Sequence, residues 1–396
     1  MNSAEALSHQ GLIDFQFGIL ESLAEGKAPT SVAQTVREKV EQIYGDSNDF
    51  EIGISVNDSC NLTCQHCYYA STHDKSLERK TGLLGVSDWK RIIRESLDIS
   101  GVRHFSVIGK EPLLSPDITS AIFKELEGAK AQMPDIKYEL ITNGTLIGEN
   151  ADWLKDLDFH FVSISFDGCE RDHDEIRGPG NYVRARKGLE IAAKEIGVRN
   201  LSVTYTAMPH NTGHLDEMIT DLADAGAKYL SVSFCFPTDH NNNDLTAQIE
   251  TFDRVIEQVR TAPKGIDITL NLSGDEGASL IGEIYRRGDI QRSKLAVTED
   301  FAPSLIMPLS QSPRTAIQFN ILPIMYYAGF RIDCTGAAMD YCSNLQDTKT
   351  LEGFGNVKKD SMLTLRDRSR SLWPAYTEEV YTKLQSALRE ERHLTS

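Results

Sequence analysis

The 396-residue chain has no apolar run near the roughly 20 residues that cross a bilayer. Its opening, MNSAEALSHQGLIDFQ, has neither a basic start nor a long apolar stretch. These absences argue against a membrane span and against a secretory signal. Positive charge is also scarce. Lys and Arg number 41 against 58 Asp and Glu, for a formal net charge of −17, and the clustered basic residues that a phosphate backbone requires are missing. Nucleic acid is therefore not an expected partner. Cysteine occurs only 7 times, an odd count, and three of the seven crowd one loop. That pattern suits metal ligation in a reducing compartment better than a disulfide framework, so the expected location is cytoplasmic. No internal repeat is present.

What the chain does have is alternation. From residue 51 onward, short β-branched runs (EIGISVN, VRHFSVI, IKYELIT, FHFVSISF, LSVTYTA and YLSVSFCF) are separated by amphipathic stretches. Helices are expected near 87–99, 117–131, 150–156, 181–196 and 214–225. Elements of these lengths in this order predict a parallel sheet with crossover helices. Side chains alternate between the faces of a strand, which gives most strands one apolar face and one small, polar face. Ser163, Ser165 and Asp167 share such a face, as do Ser202, Thr204 and Thr206, and Ser231, Ser233 and Cys235. A closed eight-stranded barrel fills its interior with bulky branched residues, so a polar inner face predicts an open barrel around a ligand. The alternative, an open sheet with one solvated face, fits less well because parallel sheets are usually covered on both sides.

The expected fold class is thus α/β: a partial (β/α)6 TIM-like barrel over 49–262, preceded by an N-terminal helical segment (1–48) and followed by a small C-terminal α+β extension (263–396). In the extension the sequence predicts a strand at IDITLNL and a helix near 276–287. A loop follows at APSLIMPLSQSPR, then a strand pair across ILPIMYYAGFRIDCTGAAMDYC and a closing helix at AYTEEVYTKLQSALREERHL.

The chemistry concentrates in CNLTCQHC, where Cys60, Cys64 and Cys67 follow the first strand at its C-terminal end, the edge at which ligands gather in open α/β sheets. Three cysteines with no fourth nearby leave two readings. A zinc site needs a fourth ligand, which His66 or His73 could supply. An iron–sulfur cluster on three thiolates leaves one iron open to a small molecule.

The loop resembles that of the radical S-adenosylmethionine (radical SAM) superfamily. The resemblance implies that Cys60, Cys64 and Cys67 hold a [4Fe-4S] cluster whose open iron is chelated by S-adenosylmethionine, with the backbone of His66 near adenine. GKEPLL resembles the family's GGEP segment and implicates Gly109 and Glu111 in receiving the methionine amino group, with Lys110 in place of the second glycine. LITNGT matches through Asn143, SISFDG through Ser165 and Asp167, and HDEIRGPGNY brings Arg177 toward the cofactor's carboxylate.

The segment containing Cys334, Cys342 and Gly355-Asn356 resembles the SPASM/twitch extension of many such enzymes. Tyr326 stands where the first cysteine would be. Two cysteines are too few for another four-thiolate cluster, so the extension is expected without an auxiliary cluster.

The implied activity is reductive cleavage of S-adenosylmethionine to a 5′-deoxyadenosyl radical that abstracts hydrogen from a substrate carbon, in natural-product or peptide modification by epimerisation, oxidation or rearrangement. The implied partners are a small-molecule or peptide substrate and an electron donor such as flavodoxin or ferredoxin. Cys235 on the inner face and Cys169 after the fourth strand are candidate hydrogen donors, set against the common role of cysteine as a small buried hydrophobe. Two rivals remain: a peptide maturase that forms a crosslink, and a zinc-stabilised binding protein.

Overall fold

The computed structural model describes residues 8–44, 50–67, 82–99, 101–237, 243–261, 265–298, 303–311, 314–339 and 353–390. Two helices open it, α1 (His9–Ala24) and α2 (Pro29–Tyr44). The Ser8 hydroxyl caps α1 by accepting from the Gly11 N–H at 3.1 Å. Val32, Val36 and Val40, four residues apart, give α2 one buried stripe.

The repeating part follows as β1 (Phe50–Ser55), α3 (Val86–Leu97), β2 (Val102–Ile108), α4 (Pro116–Lys130), β3 (Lys137–Thr142), α5 (Ile147–Leu154) and β4 (Phe161–Ser165). It continues through α6 (Glu170–Arg177), α7 (Asn181–Ile191), β5 (Leu201–Ala207), α8 (Leu215–Ala225), β6 (Tyr229–Phe234), α9 (Ile249–Thr261), β7 (Asp267–Ser273) and α10 (Ala278–Arg286). Each of β1 to β6 pairs in parallel with the next strand in sequence, and β6 pairs with β7 in the same way. The remaining elements are β8 (Ala296–Val297), β9 (Leu305–Gln311), β10 (Arg314–Asn320), α11 (Met325–Ala328), β11 (Gly329–Ile332), β12 (Ala337–Met339), β13 (Gly355–Asn356) and α12 (Met362–Arg389).

The parallel sheet extends beyond six strands in both directions. β10 adds in parallel to β7 at one edge, and β11 adds in parallel to β1 at the other, with Ile52 opposite Phe330. The sheet order is β13-β12-β11-β1-β2-β3-β4-β5-β6-β7-β10-β9-β8, and it does not close. The apolar face of each strand packs under the helices. Ile52, Phe105, Leu140, Ile164, Val203, Val232 and Leu270 join Trp89 of α3, Phe123 of α4 and Leu222 of α8 in one continuous core. At about 1.5–3 kcal/mol for each fully buried large side chain, this layer is what holds the sheet to its helices.

Two expectations for the extension need correction. The segment read as a Pro- and Ser-rich loop is in fact β9, antiparallel to both β10 and β8. Pro308 is tolerated because it lies opposite Ala316, where the register shifts, and beyond the two-residue reach of β8. The closing helix also begins earlier, at Met362, where the Ser361 hydroxyl accepts from the Thr364 N–H at 3.2 Å, and it runs through Pro374.

Candidate active site at the C-terminal ends of the strands

The segments after β1 and β2 are tied together. The Asn57 amide donates to the Glu111 carbonyl at 2.8 Å and to Ser115 Oγ at 2.9 Å, and the Glu111 N–H donates to the Ser59 carbonyl at 3.1 Å. The cysteine loop is held at its other end by α6, where the Gln65 N–H donates to the Ile176 carbonyl at 3.0 Å and its side-chain amide to the Glu175 carbonyl at 2.8 Å. Within the loop the Cys67 N–H donates to the Cys64 carbonyl at 3.2 Å. Cys60 Sγ accepts from the Leu62 N–H at 3.4 Å and lies 3.8 Å from the Asn143 amide nitrogen.

Cys60, Cys64 and Cys67 line one cavity of about 550 Å³ together with Asn143, Ser165 and Arg177. Burial pushes the Cys64 thiol up to about 12, against the opposing pull of Arg177, and raises Cys60 as well. The charge of Cys67 also disfavours ionisation of both, and that of Cys60 disfavours ionisation of Cys64. Thiols this close and this dry can become thiolates together only around added positive charge, the condition that a metal cluster meets. Among the described residues no three His, Cys, Asp or Glu side chains are placed to hold a single metal ion.

Asp167 and Arg177 form the charged centre of the site. Arg177 Nε donates to Asp167 Oδ2 at 2.5 Å, the Thr206 N–H donates to Oδ1 at 3.2 Å, and His66 Nε2 lies 3.5 Å from Oδ2. Burial alone would raise the Asp167 carboxyl, but the charges of Arg177, His66 and His173 and the Arg177 hydrogen bond together outweigh it and hold the group at about 2. Burial and then Arg177 hold His173 at about 4, so its neutral Nδ1 can accept from the Asp167 N–H at 3.4 Å. His66 is also lowered by burial, and its Nδ1 is buried with no hydrogen-bond partner among the described residues.

Glu111, which the resemblance implicates in receiving the methionine amino group, follows β2. It is 0% exposed and absent from the cavity wall. Its Oε1 accepts from the Leu113 N–H at 3.0 Å and the Thr142 hydroxyl at 2.7 Å, and its Oε2 accepts from the Asn143 N–H at 2.8 Å. Burial raises its pKa against the pull of these bonds. The carboxylate thus anchors Asn143, whose side chain does reach the cavity. Gly109 lies on the wall at φ +156°, which L side chains rarely adopt, whereas among the described residues none other than glycine has a positive φ, so Lys110 fits its position.

Of the two candidate hydrogen donors, only Cys235 lies on the wall. Its N–H donates to the Ala207 carbonyl at 2.9 Å, and burial pushes its thiol up to about 12. Cys169 is instead the N-cap residue of α6, with Sγ 3.6 Å from Asp172 Oδ2, and it does not line the cavity. Gly168, at φ +134°, joins Asp167 to this N-cap residue.

The structure adds wall residues from beyond the sixth strand: Asn271 and Ser273 of β7, Glu276, Asn320 of β10 and Arg331 of β11. The signal for the β7 pair is visible in IDITLNLS, where Asp267, Thr269, Asn271 and Ser273 alternate with apolar residues. Tyr327 packs on Trp373, with ring centroids 5.0 Å apart. Tyr68, Tyr69, His73 and Cys342 lie outside the described residues, as does the side chain of Tyr326.

Residues 54–222 match the family model of the radical SAM superfamily. A probable GTP 3′,8-cyclase of Methanococcus maripaludis strain C7 is 29% identical over 214 residues, 52% of this chain and 67% of that protein. The strain C6 counterpart is 32% identical over 157 residues, 39% of this chain and 49% of that protein. Among solved structures, Streptococcus suis SuiB bound to S-adenosylmethionine matches with a TM-score of 0.58 at 17% identity, over 86% of this chain and 72% of that one. Native anSMEcpe with bound AdoMet matches with a TM-score of 0.55 at 16% identity, over 83% and 84%. At such identities the structural likeness concerns the fold, an open α/β barrel with an extension. Residues 54–222 thus carry a radical SAM domain, the domain of a superfamily whose enzymes use a [4Fe-4S] cluster and S-adenosylmethionine.

Proposed function

We propose that the chain abstracts a hydrogen atom from a carbon of a substrate seated against the inner face of β4–β7, with Cys60, Cys64 and Cys67 as the cluster ligands. The observation that carries this reading is continuity: the three crowded thiols and the small polar faces of the strands open on the same cavity. When bound, the cluster and S-adenosylmethionine supply one-electron reductive cleavage of the sulfonium and hydrogen abstraction from an unactivated carbon. A donor such as reduced flavodoxin or ferredoxin would provide the electron.

The protein's own part is orientation and exclusion of water. Arg177 spends Nε on Asp167 and keeps its other guanidinium donors for a carboxylate at the wall. Asn143, fixed by Glu111, sets its amide beside Cys60. Ser165, which accepts from the Thr204 hydroxyl at 3.2 Å, offers a held polar edge. Cys235 stays an S–H because its surroundings are dry, and the S–H form is the one that can return a hydrogen atom to a carbon-centred substrate radical.

A cavity of about 550 Å³ is of the size of small-molecule sites, and S-adenosylmethionine would occupy part of it. The substrate is therefore a small molecule or a peptide that enters by one side chain. SuiB bound to its precursor peptide SuiA and anSMEcpe bound to the Cp18Cys peptide share the fold and favour the peptide form. The test is anaerobic reconstitution with iron and sulfide, followed by dithionite and S-adenosylmethionine. Formation of 5′-deoxyadenosine supports the reading. A protein that takes up no iron and forms none refutes it.

A further inference from the structure

The turn after β7 leaves one carboxylate without a role. The Ser273 hydroxyl donates to Asp275 Oδ1, the Glu276 N–H reaches the same oxygen at 2.6 Å, and the Gly277 N–H donates to the Ser273 carbonyl at 2.9 Å. Glycine is required at 277, because a Cβ there would stand 2.8 Å from that carbonyl oxygen. The turn satisfies Asp275 and fixes Glu276, yet among the described residues no hydrogen bond reaches the Glu276 carboxylate.

Glu276 stands on a wall shared by two cavities. The main one, about 550 Å³, and a neighbour of about 390 Å³ have Phe234, Cys235, Phe236, Glu276 and Gly277 in common. Among the described residues lining either cavity, Glu276 is the only carboxylic acid. Burial, and then the charge of Asp275, push its carboxyl up to about 8. Lys383 of α12 acts the other way but is held by Glu379 at 2.8 Å. A half-buried carboxylate on a wall that also carries Phe234 and Phe236 is costly unless a cation faces it. An ammonium group brings that charge and three donors.

We infer that Glu276 is a subsite for a protonated primary amine of the substrate, at the shared wall beside Cys235. The inference rests on reading the cavity as the substrate chamber, and it narrows the substrate to an amine-bearing compound. The ammonium can come from a small free amine or from a lysine-type side chain on a peptide.

The test is equilibrium binding to the reconstituted full chain with S-adenosylmethionine present, using two probe pairs: 1-aminopentane against 1-pentanol, and N-acetyl-lysine amide against N-acetyl-norleucine amide. The ammonium member of at least one pair should bind about tenfold tighter than its neutral partner. Glu276→Gln should bring that pair to parity, and Glu276→Asp should keep the preference. Preference in the first pair alone points to a small amine, and in the second alone to a lysine-type residue. Equal binding within both pairs by the wild-type protein overturns the inference without recourse to any variant, as does a preference that survives Glu276→Gln. Measuring 5′-deoxyadenosine in the same samples separates the two readings: its formation without amine preference removes only the subsite, and its absence removes the radical chemistry.

Discussion

Arg177 Nε lies 2.5 Å from Asp167 Oδ2, and the aspartate is fully buried. Asp167 follows β4 and Arg177 is the last residue of α6, so this contact fastens a helix end, and the cysteine loop strapped to it, onto the rim of the sheet. Low surrounding polarity strengthens the attraction, and the same surroundings make either charge expensive if its partner is lost.

Asp167→Asn should therefore destabilise the protein by about 3–5 kcal/mol, measured by urea unfolding near neutral pH. The wild-type protein should show a matching pH dependence. The folded carboxyl titrates near 2 rather than at its ordinary 3.8, so its contribution is full above about pH 4 and is lost as pH falls toward 2. That loss amounts to about 2 kcal/mol. A flat unfolding free energy across this window would contradict the assignment.

Replacing any one of Cys60, Cys64 or Cys67 with alanine should abolish 5′-deoxyadenosine formation and cut iron from about four per chain to a small fraction of that. Thermal unfolding of the iron-free protein should move little, by about 1 kcal/mol or less, because each change removes one small side chain from a loop that backbone and Gln65 hydrogen bonds still hold. Iron content and calorimetry on the same preparations check both halves.

Gly188 controls how closely α7 approaches the turn after β3. A Cβ there would fall 2.1 Å from the Gly144 carbonyl oxygen. Gly188→Ala gains about 1 kcal/mol of helix propensity, but the clash with backbone outweighs it, for a net loss of about 1–2 kcal/mol. Gly144 follows Asn143, so the shift should also weaken S-adenosylmethionine binding. Urea titration and equilibrium dialysis test the two effects.

Cys235→Ala should leave 5′-deoxyadenosine formation intact and stop deuterium from entering the substrate when turnover is run in deuterated water. Cys169→Ala should change neither, since that side chain does not line the cavity. Unchanged deuterium incorporation in Cys235→Ala would remove that thiol from the mechanism.

The six strands, their crossover helices and the polar inner face are legible because alternation with period two is local. Ser165, Thr206, Ser233 and Cys235 all reach the cavity from the faces that alternation assigns them. β9 is not legible, because Pro308 and its serine neighbours carry loop chemistry that only the register shift opposite Ala316 excuses. The early start of α12 is hidden by Pro374. Burial of Trp373, whose indole N–H donates to the Pro323 carbonyl at 2.9 Å, accompanies a helix there despite the poor propensity.

The sequence alone determined the cysteine spacing, the strand faces and the order of the motifs along the rim, since each depends on residues a few positions apart. Only the tertiary structure decided that Glu111 turns inward to hold Asn143, that Cys169 leaves the cavity, and that Glu276, Asn320 and Arg331 join it. The last of these depends on pairings between distant segments, β11 beside β1 and β10 beside β7, where packing and hydrogen bonding across the sheet outweigh anything written within one strand.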